Sequence, residues 1–155
     1  MEFSPEKQKD FDKLLPRYPI KEAAALPTLR LAQEEFGYVS SDVIEFVADL
    51  LEVPVARIKA VASFYTMYDK KPVGKYHVQV CQNLSCSLMG AEHIIEHLQK
   101  KLKISVGETT SDKKFTLTRV ECLGACGTAP VMQINDDYYE DLTPEKVDAI
   151  LEGLE

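Results

Sequence analysis

The chain has 155 residues, 45% of them hydrophobic, with a net charge of −7 and a pI of about 5.0. The charge is evenly spread, 9 basic and 12 acidic residues up to Lys70 and 9 and 13 beyond it, so there is no basic face to grip phosphates and nucleic acid is argued against as a partner. No apolar run approaches the ~20 residues that span a bilayer, which argues against direct membrane insertion.

The first seventy residues read as helical. Ser4 is placed to cap a helix with Pro5 at its first position, and Phe11, Leu14 and Leu15 share one face before Pro16 and Pro19 stop it. A second stretch, Lys21 to Phe36, is rich in helix formers and ends at Gly37, with Pro27 either kinking it or marking its true start. Ser40 or Ser41 then caps a third helix carrying Val43, Ile44, Val47, Leu50 and Leu51. Pro54 opens a fourth, with Val55, Ile58, Val61 and Ala62 expected inward. The aromatic segment Phe64-Tyr65-Thr66-Met67-Tyr68 closes this half; it reads as core, and it is also the candidate for the junction between the two halves or for a partner interface.

After Lys70-Lys71-Pro72-Val73-Gly74 the period changes. Tyr76, Val78 and Val80 alternate with His77, Gln79 and Cys81, which is a strand pattern. A short loop leads to a helix from about Gly90 to Leu102 with Ala91, Ile94, Ile95, Leu98 and Leu102 on one stripe. Phe115 to Val120 and Val131 to Ile134 read as strands, and Asn135-Asp136-Asp137 as a tight turn into Tyr138-Tyr139-Glu140. Thr143-Pro144-Glu145 starts a last helix with Val147, Ile150, Leu151 and Leu154 buried. A strand–helix–strand unit joined to a hairpin and a final helix is a thioredoxin-like arrangement. The expected architecture is thus α+β: an N-terminal helical bundle over 1–72 and a thioredoxin-like α/β domain over 73–155.

All four cysteines lie in the second half, as Cys81-Gln82-Asn83-Leu84-Ser85-Cys86 and Cys122-Leu123-Gly124-Ala125-Cys126. Met1-Glu2-Phe3-Ser4-Pro5-Glu6 shows neither a basic n-region nor an apolar h-region, so a reducing cytosol is expected, where paired cysteines read as metal ligands or redox groups rather than disulfides. Each pair begins at the end of an expected strand, and neighbouring strands can set their ends side by side. Four thiolates are what a [2Fe–2S] cluster needs, two on each iron. A structural zinc site is the second reading: compact zinc knuckles use two to four intervening residues, so the four of the first pair lie at the edge of that range and suit the wider Fe2S2 core, and thiol–disulfide exchange is a third, weakened by the lack of Cys-x-x-Cys. Gly124 and Gly127 let the backbone turn closely about sulfur. Backbone amides and the hydroxyls of Ser85 and Ser87 are candidate donors to the cluster sulfurs, while Glu121 would lower the potential. His93 and His97, four apart, read as a solvated helix face rather than a metal pair. Pro130 sits where thioredoxin-like folds often place a cis proline facing the active loop. No glycine-rich phosphate loop precedes a helix, so neither flavin nor nucleotide is expected on this chain.

Gly107-Glu108-Thr109-Thr110, Phe115-Thr116-Leu117, Val120-Glu121-Cys122-Leu123-Gly124-Ala125-Cys126 and Ala129-Pro130 resemble the small [2Fe–2S] subunit of the NADH-dehydrogenase module of complex I, NADH:quinone oxidoreductase. Val61-Ala62-Ser63-Phe64-Tyr65-Thr66-Met67-Tyr68 and Gln33-Glu34-Glu35-Phe36-Gly37-Tyr38 resemble it too, so the likeness spans about residues 20 to 150. The resemblance implies one cluster per chain, with Cys81 and Cys86 on one iron and Cys122 and Cys126 on the other. It implies a larger flavoprotein partner carrying FMN, the NADH site and a [4Fe–4S] cluster, alongside other peripheral-arm subunits. It also implies a cytoplasmic place, peripheral to the inner membrane, and part of an enzyme whose active site is not complete on this chain. The same subunit type occurs in soluble NAD-linked hydrogenases and formate dehydrogenases, which the sequence leaves open as the host. Where that family often has Asp-Gly after the Gly-Glu-Thr-Thr run, this chain has Asp112-Lys113-Lys114, which puts the geometry of that turn in question.

Overall fold

The computed structural model describes residues 1–154 and divides into two compact units, Met1–Pro72 and Val73–Glu155. The first holds four helices: α1 (Pro5–Leu14), α2 (Ala25–Phe36), α3 (Ser41–Leu51) and α4 (Val55–Phe64). The Ser4 hydroxyl accepts a hydrogen bond from the Lys7 amide with Pro5 at the first helical position, and Ser40, not Ser41, does the same for the Val43 amide of α3. Caps of this kind contribute about 1 kcal/mol each. Pro27 proves to mark a start. A 3-10 turn, Lys21–Ala24, leads into α2, and Pro27 falls in its first turn, where a missing N–H breaks no helical hydrogen bond.

Leu29, Val43, Val47, Leu51, Ile58 and Tyr68 form the centre of this unit's core. Burial pushes the Tyr68 phenol up to about 12, and its hydroxyl donates to the Leu26 carbonyl at 2.8 Å. Two expectations fail here. Val55 is exposed, because the first residue of α4 lies outside the inward stripe that Ile58 and Ala62 define. The aromatic segment is core only at Tyr68; Phe64 is 78% exposed, and Tyr65 and Met67 also face outward.

The second unit is a four-stranded sheet in the order β2-β1-β3-β4, from β1 (Tyr76–Cys81), β2 (Phe115–Val120), β3 (Met132–Ile134) and β4 (Asp137–Tyr139). β1 and β2 run parallel with Tyr76 opposite Phe115 and Cys81 opposite Val120, while β3 is antiparallel to both β1 and β4. Parallel neighbours need a crossover, supplied by α5 (Leu84–Leu88) and α6 (Ala91–Leu102); α7 (Pro144–Glu152) follows the hairpin. Ile94, Ile95 and Leu98 of α6 and Val147 and Leu151 of α7 pack with Val78, Val80, Leu117, Met132 and Ile134 of the sheet. Ile150 and Leu154, expected buried, are half-buried at its margin. Gly74 lets two backbones meet ahead of β1: a Cβ there would come within 2.8 Å of the Phe115 carbonyl carbon, and its amide donates to Thr116 Oγ1 at 2.6 Å.

The turn without a glycine forms nonetheless. Lys113 takes the left-handed conformation at φ 58°. Its neighbour Asp112 anchors it by accepting from the Thr110 hydroxyl and the Lys114 amide, bonds that hold the Asp112 carboxyl below its ordinary range.

Candidate metal centre

The parallel pairing of β1 and β2 puts their carboxyl ends at one edge of the sheet. Cys81 is the last residue of β1, and Cys122 lies two residues beyond its register partner Val120. The loops that follow are stitched together: the Gln82 amide donates to the Val120 carbonyl at 3.0 Å and its side-chain amide to Glu121 Oε1 at 3.0 Å. On the other side, the Cys81 amide donates to the Val131 carbonyl at 3.1 Å. The Ala129-Pro130 peptide is cis, as its place ahead of a strand suggested.

A short helix not expected from the sequence places Cys86. Asn83 caps α5 by accepting from the Leu84 amide at 2.7 Å, which turns Cys86 into a pocket of Cys81, Ala91, Ala129 and Val131. Cys126 begins a 3-10 turn, Cys126–Thr128. Cys81 and Cys86 are each 3% exposed, whereas Cys122 and Cys126 are open to solvent; all four are free thiols.

The electrostatics bind the two loops into one site. Burial acts to raise the Cys81 thiol, but the backbone amides of Asn83 and Leu123 and the thiols of Cys86 and Cys122 outweigh it and bring Cys81 below its ordinary range. Burial pushes the Cys86 thiol up, to about 11; the Cys81 sulfur raises it further and the Val131 amide opposes. Cys126 also acts on Cys86 through its charge. The Gly124 amide donates to the Cys122 sulfur at 3.3 Å. The thiols thus influence one another across the loops in pairs; among the described residues no three His, Cys, Asp or Glu side chains are placed to hold a single ion.

This donor set fits a [2Fe–2S] group. The ligands are all sulfur, as an iron–sulfur cluster takes. Cys86 is buried where ionisation is unfavourable, a penalty that cluster iron bound to its sulfur removes. Backbone N–H groups already face the sulfurs of Cys81, Cys86 and Cys122.

Some assignments change. The Ser87 hydroxyl is spent on the Gln82 carbonyl at 2.8 Å, so it is no donor to cluster sulfur. Of the two histidines expected on a solvated face, His93 is exposed, whereas His97 is half-buried with its Nε2 2.8 Å from Asp148 Oδ1 on α7. One feature escaped sequence reasoning altogether: Leu84, Leu88 and Met89, flanking Cys86, are 70%, 77% and 62% exposed. The signal was present in the charge pattern. No Lys, Arg, Asp or Glu occurs between Lys75 and Glu92, nor between Glu121 and Asp136, in a chain that is 28% charged. Both cysteine-bearing loops lie inside those uncharged runs.

A thioredoxin-like sheet with two cysteine-bearing loops at the ends of adjacent parallel strands is the frame of a thiolate-held redox or metal site. The chain belongs to the thioredoxin-like [2Fe–2S] ferredoxin family, which it matches over residues 11–155. It is 51% identical over 144 residues to an NADH-quinone oxidoreductase subunit of Rickettsia bellii, covering 91% of this chain and 86% of that one. It is 46% identical over 138 residues to the subunit of the same type in Rhizobium meliloti, covering 89% and 82%. Among solved structures it resembles the NAD+-reducing [NiFe]-hydrogenase in its H2-reduced state, with a TM-score of 0.74 and 22% identity. That likeness, one of fold, covers 84% of this chain and 22% of the hydrogenase chain.

Proposed function

We propose that this chain is the [2Fe–2S] electron-transfer subunit of an NADH:quinone oxidoreductase, its cluster held by Cys81, Cys86, Cys122 and Cys126. The observation that carries the ligand assignment is the register of β1 against β2: Cys81 opposite Val120 brings the Cys122–Cys126 loop beside the Cys81–Cys86 loop. The relatives at 46–51% identity over nearly the whole chain favour the quinone-linked host over a soluble hydrogenase, to which the likeness is one of fold. Bound there, the group supplies a one-electron couple. The chain's own residues hold four thiolates, seat Cys81 and Cys86 out of water, and aim backbone N–H dipoles at sulfur. No acid–base or nucleophilic chemistry is required of them.

Residues 73–155 act in this reading as the cluster domain and 1–72 as a docking bundle. The partner is a larger flavoprotein subunit that carries FMN, the NADH site and a [4Fe–4S] cluster, within a complex peripheral to the membrane. Two observations support a protein partner at the cluster. Leu84, Leu88 and Met89 are exposed beside a ligand, and charge is absent from both ligand loops, as it is depleted from the buried centres of protein interfaces. Phe64, exposed at the end of α4, is the corresponding contact on the bundle. Among the described residues no helix is long and apolar enough to cross a membrane.

The test is iron and acid-labile sulfide content of anaerobically purified protein, with EPR before and after dithionite. Two irons and two sulfides per chain and one S = 1/2 signal on reduction are expected of this cluster type. Zinc at full occupancy with no iron would replace the reading with a structural module. Cys86→Ser should lose most of the cluster or change its spectrum; content and spectrum unchanged would remove Cys86 from the ligand set.

A further inference from the structure

We propose that Gly124 is a positioning residue that sets the reduction potential of the cluster, its left-handed backbone directing the amide N–H onto the sulfur of Cys122. The inference rests on Cys122 being a ligand. Gly124 has φ 75° and its amide nitrogen lies 3.3 Å from Cys122 Sγ. The preceding amide, that of Leu123, faces Cys81, so two successive N–H groups reach one sulfur from each loop. Successive amides so disposed form a concavity that favours negative charge. Cys122 is exposed, and the Gly124 amide is a fixed donor to its sulfur.

One added electron, which enters without a proton in this proposal, raises the negative charge on the ligand sulfurs. An N–H dipole aimed at one of them stabilises the reduced form more than the oxidised form and raises the potential. Only glycine holds the required conformation without strain; of the other residues asparagine tolerates it best. No atom lies within 4 Å of where a Cβ would sit on Gly124. The surrounding protein therefore offers a side chain no clash at Gly124, and the strain of the left-handed backbone is what sets this position apart. Gly127, in the same loop, also has open space around its Cβ position but is not in the left-handed region, which makes it the control.

The experiment is an EPR-monitored dithionite titration of the full chain with its cluster, for wild type, Gly124→Ala, Gly124→Asn and Gly127→Ala. Gly124→Ala should keep its iron and sulfide while its midpoint falls by about tenfold in the equilibrium constant, about 59 mV for one electron. Gly124→Asn should restore most of the shift, and Gly127→Ala should titrate as wild type. A wild-type midpoint in cluster-replete Gly124→Ala, or an equal shift in Gly127→Ala, overturns the proposal. Should Gly124→Ala fail to hold a cluster, 15N-glycine labelling decides it. The reduced protein should show a 15N hyperfine coupling that survives Gly127→Ala and vanishes in Gly124→Asn; no such coupling overturns the role. Failure of the ligand reading shows itself separately, as Cys122→Ser protein with an unaltered cluster.

Discussion

Thr28 lies on α2 with no exposed surface, and its hydroxyl is the one buried side-chain polar atom among the described residues that lacks a hydrogen-bond partner. A buried hydroxyl so placed forfeits its hydrogen bonds to water and regains nothing. Thr28→Val keeps the shape and the β-branch, and is expected to raise the stability of the helical unit by about 1 kcal/mol, read as a higher urea midpoint at unchanged slope. A lower midpoint would mean that the hydroxyl has a partner after all. Single residues were legible in the sequence where their chemistry is scarce. Four cysteines in two pairs point to one site, and Ser4 and Pro5 state a helix start. They were not legible where chemistry is common. Ser87 has a hydroxyl that serves sulfur or carbonyl equally well, and only the position of the Gln82 carbonyl decides between them. Phe64 and Tyr68 belong to one aromatic run, yet one is exposed and the other enclosed, because α4 ends between them.

At the level of elements, α6 and α7 are joined by charge. Asp148 accepts from His97 and pairs with Lys101 at 3.2 Å, and these contacts, the His97 bond foremost, hold its carboxyl below its ordinary range. A carboxyl depressed by folding adds stability above its unfolded value of 3.8, and that contribution is lost as pH falls through the depressed folded value. Asp148→Asn should therefore lower the urea midpoint near neutrality and flatten its fall below pH 4 relative to wild type. Parallel acid limbs for the two proteins would show that the helix pair does not depend on this contact. The strands of the second unit could be read from alternation, and β2 forms over the residues expected, Phe115–Val120. The short α5 could not. Leu84-Ser85-Cys86-Ser87-Leu88 is too brief to show a helical period, and what makes it a helix is the Asn83 cap and the burial of Cys86. Pro27 was ambiguous because proline suits a first turn and disrupts an interior alike; the preceding 3-10 turn resolves it.

For the whole molecule, each unit has a hydrophobic cluster of its own, one centred on Leu29, Val47 and Ile58, the other on Val78, Ile95 and Leu117. A chain of residues 73–155 is expected to fold alone and to carry iron and sulfide at the level of the full protein, yet to bind the proposed flavoprotein partner at least tenfold more weakly. Equal affinity, measured by calorimetry, would remove the docking role of the bundle; a failure to fold would show that the sheet depends on residues 1–72. That the chain has two parts was visible in the change of hydrophobic period near Val73, since helices and strands repeat differently. The lack of charge along the two cysteine-bearing loops was missed because absence leaves no motif; it gains meaning once the structure shows those loops meeting at one edge of the sheet. Its consequence concerns time more than affinity. The loops themselves put no charged side chain between their cysteines, so they add no specific steering to an encounter, and a partner is kept there by slow release rather than fast capture. Carriers that shuttle between partners gain speed from electrostatic steering. A surface of this kind suits a joint made once, at assembly, across which electrons pass for the lifetime of the complex.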